Sequence, residues 1–129
     1  MAEGLLQHGL RARGSQIEVS SAGIGAMDGK PADPTAIKLM QDLGITINSH
    51  RSAQFSPAAG IQADLILVMT SEMRESVVNE HPPLQGRVYR LGHWGNFDIA
   101  DPHMRGEAAF PKALKLIKLG TEEWLQRID

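Results

Sequence analysis

The apolar positions of this chain change period several times, and each change marks an element. In MAEGLLQHGLRARG, Ala2, Leu5, Leu6, Gly9 and Leu10 fall on one side of a 3.6-residue wheel, and Gly14 is a natural stop. The spacing predicts a helix already under way at Met1, because no Ser, Thr, Asp or Asn precedes it to cap its first amides. QIEVS, from Gln16 to Ser20, alternates apolar and polar residues and predicts a short strand with Ile17 and Val19 inward. After a Gly-rich connection, DPTAIKLMQDLG is a punctuated helix: Asp33 caps it, Pro34 takes the first helical position, Ile37, Met40 and Leu43 face a core, and Gly44 ends it. Ser56-Pro57 opens another short helix. DLILVM, from Asp64 to Met69, is a continuous apolar run, the pattern of a strand buried on both faces. Thr70 or Ser71 caps a helix through EMRESVVNEH that Pro82-Pro83 closes, and Arg87 to Leu91 reads as the last strand. The tail FPKALKLIKLGTEEWLQRI is an amphipathic helix starting near Phe110, with Phe110, Leu114, Ile117, Trp124 and Ile128 on one face.

Helices and strands alternate throughout, which predicts an α/β fold: a three-layer parallel sheet with helices on both faces, built as one domain over residues 1–129. Ligands of such sheets bind at the carboxyl ends of the strands. Two connections lie at such ends. One is the Ser20-Ser21-Ala22-Gly23 turn. The other is GHWGNFDIADPHMRG, an aperiodic loop of about fifteen residues, a length that points to function.

Composition narrows the classes. Thirteen basic and fifteen acidic residues give a net charge of −2 without a long run of either sign, which argues against nucleic acid or a membrane surface as partner. No apolar stretch approaches a membrane span, and no secretory signal pattern is present, so a cytoplasmic protein is expected. There is no cysteine, which removes disulfides, thiolate metal sites and cysteine nucleophiles together.

The residues with chemical potential each have two readings. Asp101, before Pro102, is either a general acid at a pocket rim or the start of an Asp-Pro turn. His103, with Trp94 and Phe97, either walls a pocket for a flat ring or belongs to an ordinary loop. Asp101, His103 and His93 match no established zinc spacing. Ser21 lacks the glycine-flanked elbow of a catalytic serine and reads better as a hydroxyl bracing a neighbouring loop. His50 is either a satisfied loop histidine or a functional one, and Lys30 and Asp33 lack the glycine spacing of a phosphate loop. Met40 and Met69 are read as core.

In their order, MAEGLL, VSSAG, GKPADPTAIKLMQDLGI, SHRSAQ, ADLILVM, VYRLGHW and DIADPH resemble the low-molecular-weight protein tyrosine phosphatases along essentially the whole chain. LGHW is most similar to bacterial members associated with capsule and exopolysaccharide production. The resemblance implies a four-stranded parallel sheet flanked by helices. It also implies hydrolysis of phosphotyrosine through a cysteinyl-phosphate, with no cofactor and no metal. By the match Asp101 is the general acid and base, His103 stands at the aromatic wall of the substrate pocket with Trp94 nearby, and Ser21 and His50 brace the phosphate loop. His103 departs from the usual tyrosine, Thr70 stands where the family often has Asp or Glu, and Ser52-Ala53-Gln54 replaces a common Ala-Arg-Gln.

The family's loop of Cys, five residues and Arg directly precedes its counterpart of Met1. The expectation is therefore an N-terminally truncated phosphatase-like domain that lacks its first, interior strand, its nucleophile and its phosphate-binding arginine. Such a chain is expected to be inactive, and either marginally stable or self-associating through its open sheet. Its expected partners are a phosphotyrosine protein and a bacterial tyrosine kinase. Two other readings stand beside this one: a non-catalytic phosphatase-like binding protein, and an unrelated metal-dependent α/β hydrolase using Asp101 and His103.

Overall fold

The computed structural model describes residues 1–23, 29–102, 105–106 and 108–128. His103, Met27 and Met104 lie outside the described residues. The elements run α1 (Ala2–Ala12), α2 (Pro34–Asp42), α3 (Pro57–Gln62), β1 (Ile66–Val68), α4 (Ser71–Glu80), a 3₁₀ turn (Pro82–Leu84), β2 (Val88–Arg90) and α5 (Ala109–Leu125).

The helix starts follow from their caps. The Asp33 carboxylate accepts the Thr35 amide at 2.8 Å, the Ser56 hydroxyl accepts the Ala59 amide at 3.2 Å, and the Thr70 hydroxyl accepts the Met73 amide at 3.1 Å. Each satisfies an amide that has no partner within its own helix. Pro34 and Pro57 stand in first turns, where a missing N–H costs nothing. Met1 precedes α1 without a side-chain cap, and Gly14, at φ 74°, turns the chain away beyond its end.

β1 and β2 form a parallel pair, with Ile66 opposite Val88 and Val68 opposite Arg90. Their residues alternate between two apolar layers, as a strand's two-residue period requires. Leu65, Leu67, Met69, Tyr89 and Leu91 pack with Ile117 and Trp124 of α5 and with Ala2 and Leu5 of α1. Ile66, Val68 and Val88 pack with Val77 of α4, with Leu84 and with Phe55. A parallel sheet between two helical layers is thus in place, and DLILVM is apolar throughout because both of its faces are covered. A third cluster joins Met40, fully buried, with Ala36, Ile45, Ile47, Phe110 and Leu114.

Gln16 to Ser20 differs from its predicted strand. The segment belongs to no ladder among the described residues, and Ile17 is 41% exposed rather than inward. A strand is defined by a neighbour as well as by alternation, and this one runs beside α1 instead. There Gln7 and Arg11 line a groove of about 440 Å³ with residues 15–20. α1 and α5 approach closely: a Cβ placed on Gly9 would lie 2.5 Å from Leu125 Cδ1. Arg13 adds hydrogen bonds to the carbonyls of Leu125 and Ile128. α5 also meets the end of the sheet closely: a Cβ on Gly120 would sit 2.8 Å from the Leu91 carbonyl oxygen. No helix among the described residues is long and apolar enough to cross a membrane.

Candidate active site

A cleft of about 470 Å³ opens where the first turn of α1 meets the carboxyl end of β1. Met1 to Gly4, Ser21, Lys30, His50, Met69, Thr70 and Asp101 all line it. Ser21, His50 and Asp101 come from three distant stretches of the chain, and the fold brings them to this one place.

Glu3 organises one wall. Its Oε2 accepts the Ser21 hydroxyl at 2.7 Å and lies 3.1 Å from His50 Nδ1. One carboxylate oxygen therefore joins α1, the turn after residue 20 and the loop at residue 50. The Ser21 hydroxyl donates to the Glu3 carboxylate and not to His50, so the two do not form the Ser–His pair of a serine nucleophile. The network ties these three segments together. Sequence reasoning missed Glu3, although an acidic residue in the first turn of a helix is itself a signal, since it complements the positive end of the dipole.

The loop bearing His50 is shaped by its neighbours. Arg51 Nη1 donates to the carbonyls of Asn48 and His50, at 3.0 and 2.7 Å. Ser52 then pairs with Lys30: its amide donates to the Lys30 carbonyl at 2.7 Å, and its hydroxyl accepts the Lys30 amide at 3.0 Å. The Gly23 amide donates to the Ala53 carbonyl at 2.8 Å, and the Phe55 amide to the Gly23 carbonyl at 2.9 Å. These bonds fix the rim that carries Lys30.

The opposite wall is the loop that leaves β2. The Leu91 amide donates to the Val68 carbonyl at 2.7 Å, the Phe97 amide closes a turn on the Gly92 carbonyl at 3.0 Å, and Asn96 adopts a left-handed φ of 54°. Ile99 returns to the sheet: it is 1% exposed and its amide donates to the Met69 carbonyl at 2.9 Å. Asp101 follows at the cleft, exposed. Just before Ile99, Asp98 Oδ1 accepts from Arg90 Nη1 at 2.8 Å, from the Ser71 amide at 3.1 Å and from the Ser71 hydroxyl at 3.3 Å. The Arg90 hydrogen bond, supported by those from Ser71, holds the Asp98 carboxyl below the usual carboxylate range.

Trp94 does not join the other site residues. It turns back toward the end of α5, 5.4 Å from the Trp124 ring and 4.8 Å from that of His93, with the Arg127 guanidinium 4.1 Å over its face. Edge-to-face ring contacts and a cation–π contact hold it there, and it is not among the cleft-lining residues. Among the described residues no group of three His, Asp or Glu is placed to hold a metal.

The model of the family described as low molecular weight phosphotyrosine protein phosphatase matches residues 1–129. The chain is similar to a probable low molecular weight protein-tyrosine-phosphatase, EpsP, of Ralstonia nicotianae, with 42% identity over 99% of this chain and 86% of that protein. It is also similar to the low molecular weight protein-tyrosine-phosphatase Wzb of Escherichia coli K12, with 32% identity over 88% of this chain and 78% of the relative. Among solved structures, Vibrio vulnificus Wzb in complex with benzylphosphonate superposes with a TM-score of 0.90 at 32% identity, over 98% of this chain and 88% of that one.

Proposed function

Because the chain belongs to the low molecular weight phosphotyrosine protein phosphatase family, we propose that its cleft is the phosphotyrosine site and that Asp101 is its general acid. The observation that carries this reading is convergence: Asp101, the first turn of α1 and the Glu3–Ser21–His50 network all border one cleft. An acid at that rim can protonate a departing phenolate and then, as a base, take a proton from the water that releases phosphate. The first turn of α1 supplies amides aimed at an anion, and the positive end of the helix dipole favours one there. Ser21 and His50, held by Glu3, brace the loop that surrounds the phosphate. Phosphotyrosine on a protein, a bacterial tyrosine kinase among them, is the proposed substrate. The likeness to EpsP and Wzb supports a role in exopolysaccharide or capsule production.

The 129 residues contain no cysteine. These residues alone therefore form no cysteinyl-phosphate, and we expect no turnover of p-nitrophenyl phosphate by them. The test joins to Met1 a segment made of a strand and a loop of Cys, five residues and Arg. Hydrolysis should appear, and Asp101→Asn should lower kcat by about 10²–10⁴-fold, the usual weight of a general acid. Activity that ignores Asp101→Asn would refute the assignment of the acid. Activity in the 129 residues alone would refute the need for the added nucleophile.

A second reading, a phosphatase-like binding module, is favoured by the same missing thiol. It predicts that the 129 residues bind a phosphotyrosine peptide in calorimetry, with the phosphate required for binding.

A further inference from the structure

We propose that Asp98, clamped by Arg90 and Ser71, is the positioning residue that sets where Asp101 stands at the cleft. The inference rests on the reading of Asp101 as the acid and adds to it the device that holds that acid.

The path of the chain makes such a device necessary. The loop leaves the sheet at Leu91 and regains it at Ile99, whose amide donates to the Met69 carbonyl. Asp101 comes two residues later, and its placement depends on how firmly that return is fixed. Immediately before the return, the donors described above converge on one oxygen of Asp98 from two separate elements. Arg90 ends β2, and Ser71 opens α4. The second arm of the same guanidinium reaches Asn96 Oδ1 at 2.6 Å, so Arg90 grips the loop at two points. The Arg90 backbone is itself held, because its carbonyl accepts the Trp124 indole N–H at 3.1 Å.

The arrangement is poorly explained as a stability feature. The Asp98 side chain is 48% exposed, against 17% for Arg90, and an ion pair open to solvent on its carboxylate side adds only modestly to folding stability. Its geometry suits a different task. It ties the loop to the strand that launches it and to the helix that follows β1, leaving Ile99 one register in which to bond Met69. Proton transfer is sensitive to displacements of about 1 Å, so a slack return would reach the chemistry even with the fold intact.

Hydrogen exchange on the 129-residue chain tests the clamp directly. In Asp98→Ala and in Arg90→Gln, the Ile99 amide should exchange at least about tenfold faster while the Leu91 amide, bonded to Val68 in the sheet, keeps its protection. Arg90→Lys, which retains a donor, should restore part of the protection. An unchanged Ile99 amide, or an equal rise at Leu91, would overturn the clamp. Catalysis is then read in the form carrying the added Cys-to-Arg segment. Asp98→Ala should lower kcat by about 10–100-fold for a poor leaving group such as phenol, less for p-nitrophenol, with KM unchanged. Equal losses for both leaving groups would overturn the link to Asp101. If that form hydrolyses neither ester, the phosphatase reading fails, and hydrogen exchange at Ile99 still decides the clamp.

Discussion

β1 and β2 each turn one edge away from the other, and the two edges are finished differently. In β2, the residues that bond β1 are Arg87, Tyr89 and Leu91, so Val88 and Arg90 direct their carbonyls outward. Both outward carbonyls are closed by side chains: Arg74 Nε donates to Val88 at 2.8 Å and Trp124 Nε1 to Arg90 at 3.1 Å. In β1, Ile66 and Val68 bond β2, and Leu67 therefore presents its N–H and carbonyl to the other side, where no strand pairs with it among the described residues. Among the described residues that side is closed by backbone at Met69, through the Ile99 amide. A side-chain cap ends a sheet; an uncapped backbone leaves it able to take a further strand.

The largest test of this contrast removes a cap. Trp124→Ala deletes a nearly buried indole together with the donor to Arg90 and should cost about 3–5 kcal/mol, read as a lower urea midpoint. Second, amide exchange should separate the edges without any mutation: Leu67 should exchange about a hundredfold faster than Tyr89, and equal protection would mean that β1 is closed after all. Third, Arg74→Met keeps the aliphatic stem and leaves the Val88 carbonyl without its donor, for about 1–2 kcal/mol in the same urea experiment. The smallest effect concerns the Asp98 clamp. Its carboxyl titrates lower in the folded chain than in the unfolded one, so its stabilisation is complete above the ordinary carboxylate pKa and disappears as pH falls through the lowered folded value. The Tm difference between the native chain and Asp98→Asn should therefore be present near neutrality and close in strong acid. A difference that grows instead of narrowing as pH falls would contradict the lowered pKa.

What the sequence revealed about the fold was local or periodic. Asp33, Ser56 and Thr70 announce their helices because a cap acts within three residues, and DLILVM announces a doubly covered strand because both of its faces are apolar. Gln16 to Ser20 misled for the complementary reason: alternation describes a strand's faces, while pairing depends on what lies beside it. At the candidate site, Asp101, Ser21 and His50 could be singled out, and the fold gathers them at one cleft. Trp94 lies against Trp124, 30 positions further along the chain, and local pattern carries no trace of that contact. Glu3 went unnoticed because its role exists only once Ser21 and His50 have been brought to it.

The close seating of α1 against α5 has a consequence for how the chain acquires its structure. Arg13 and Leu125 are 112 positions apart, yet they are hydrogen-bonded, and Gly9 lets the two helices touch. At roughly 5–20 residues per second of synthesis, α1 waits on the order of ten seconds for its main neighbour. Until then, Ala2 and Leu5 lack Ile117 and Trp124 to pack against. Contacts of such span slow folding, because the long intervening loop must close before they form. Chaperone demand on the nascent chain should therefore peak before α5 emerges from the ribosome, and Gly9→Leu, which blocks the late docking, should lengthen it.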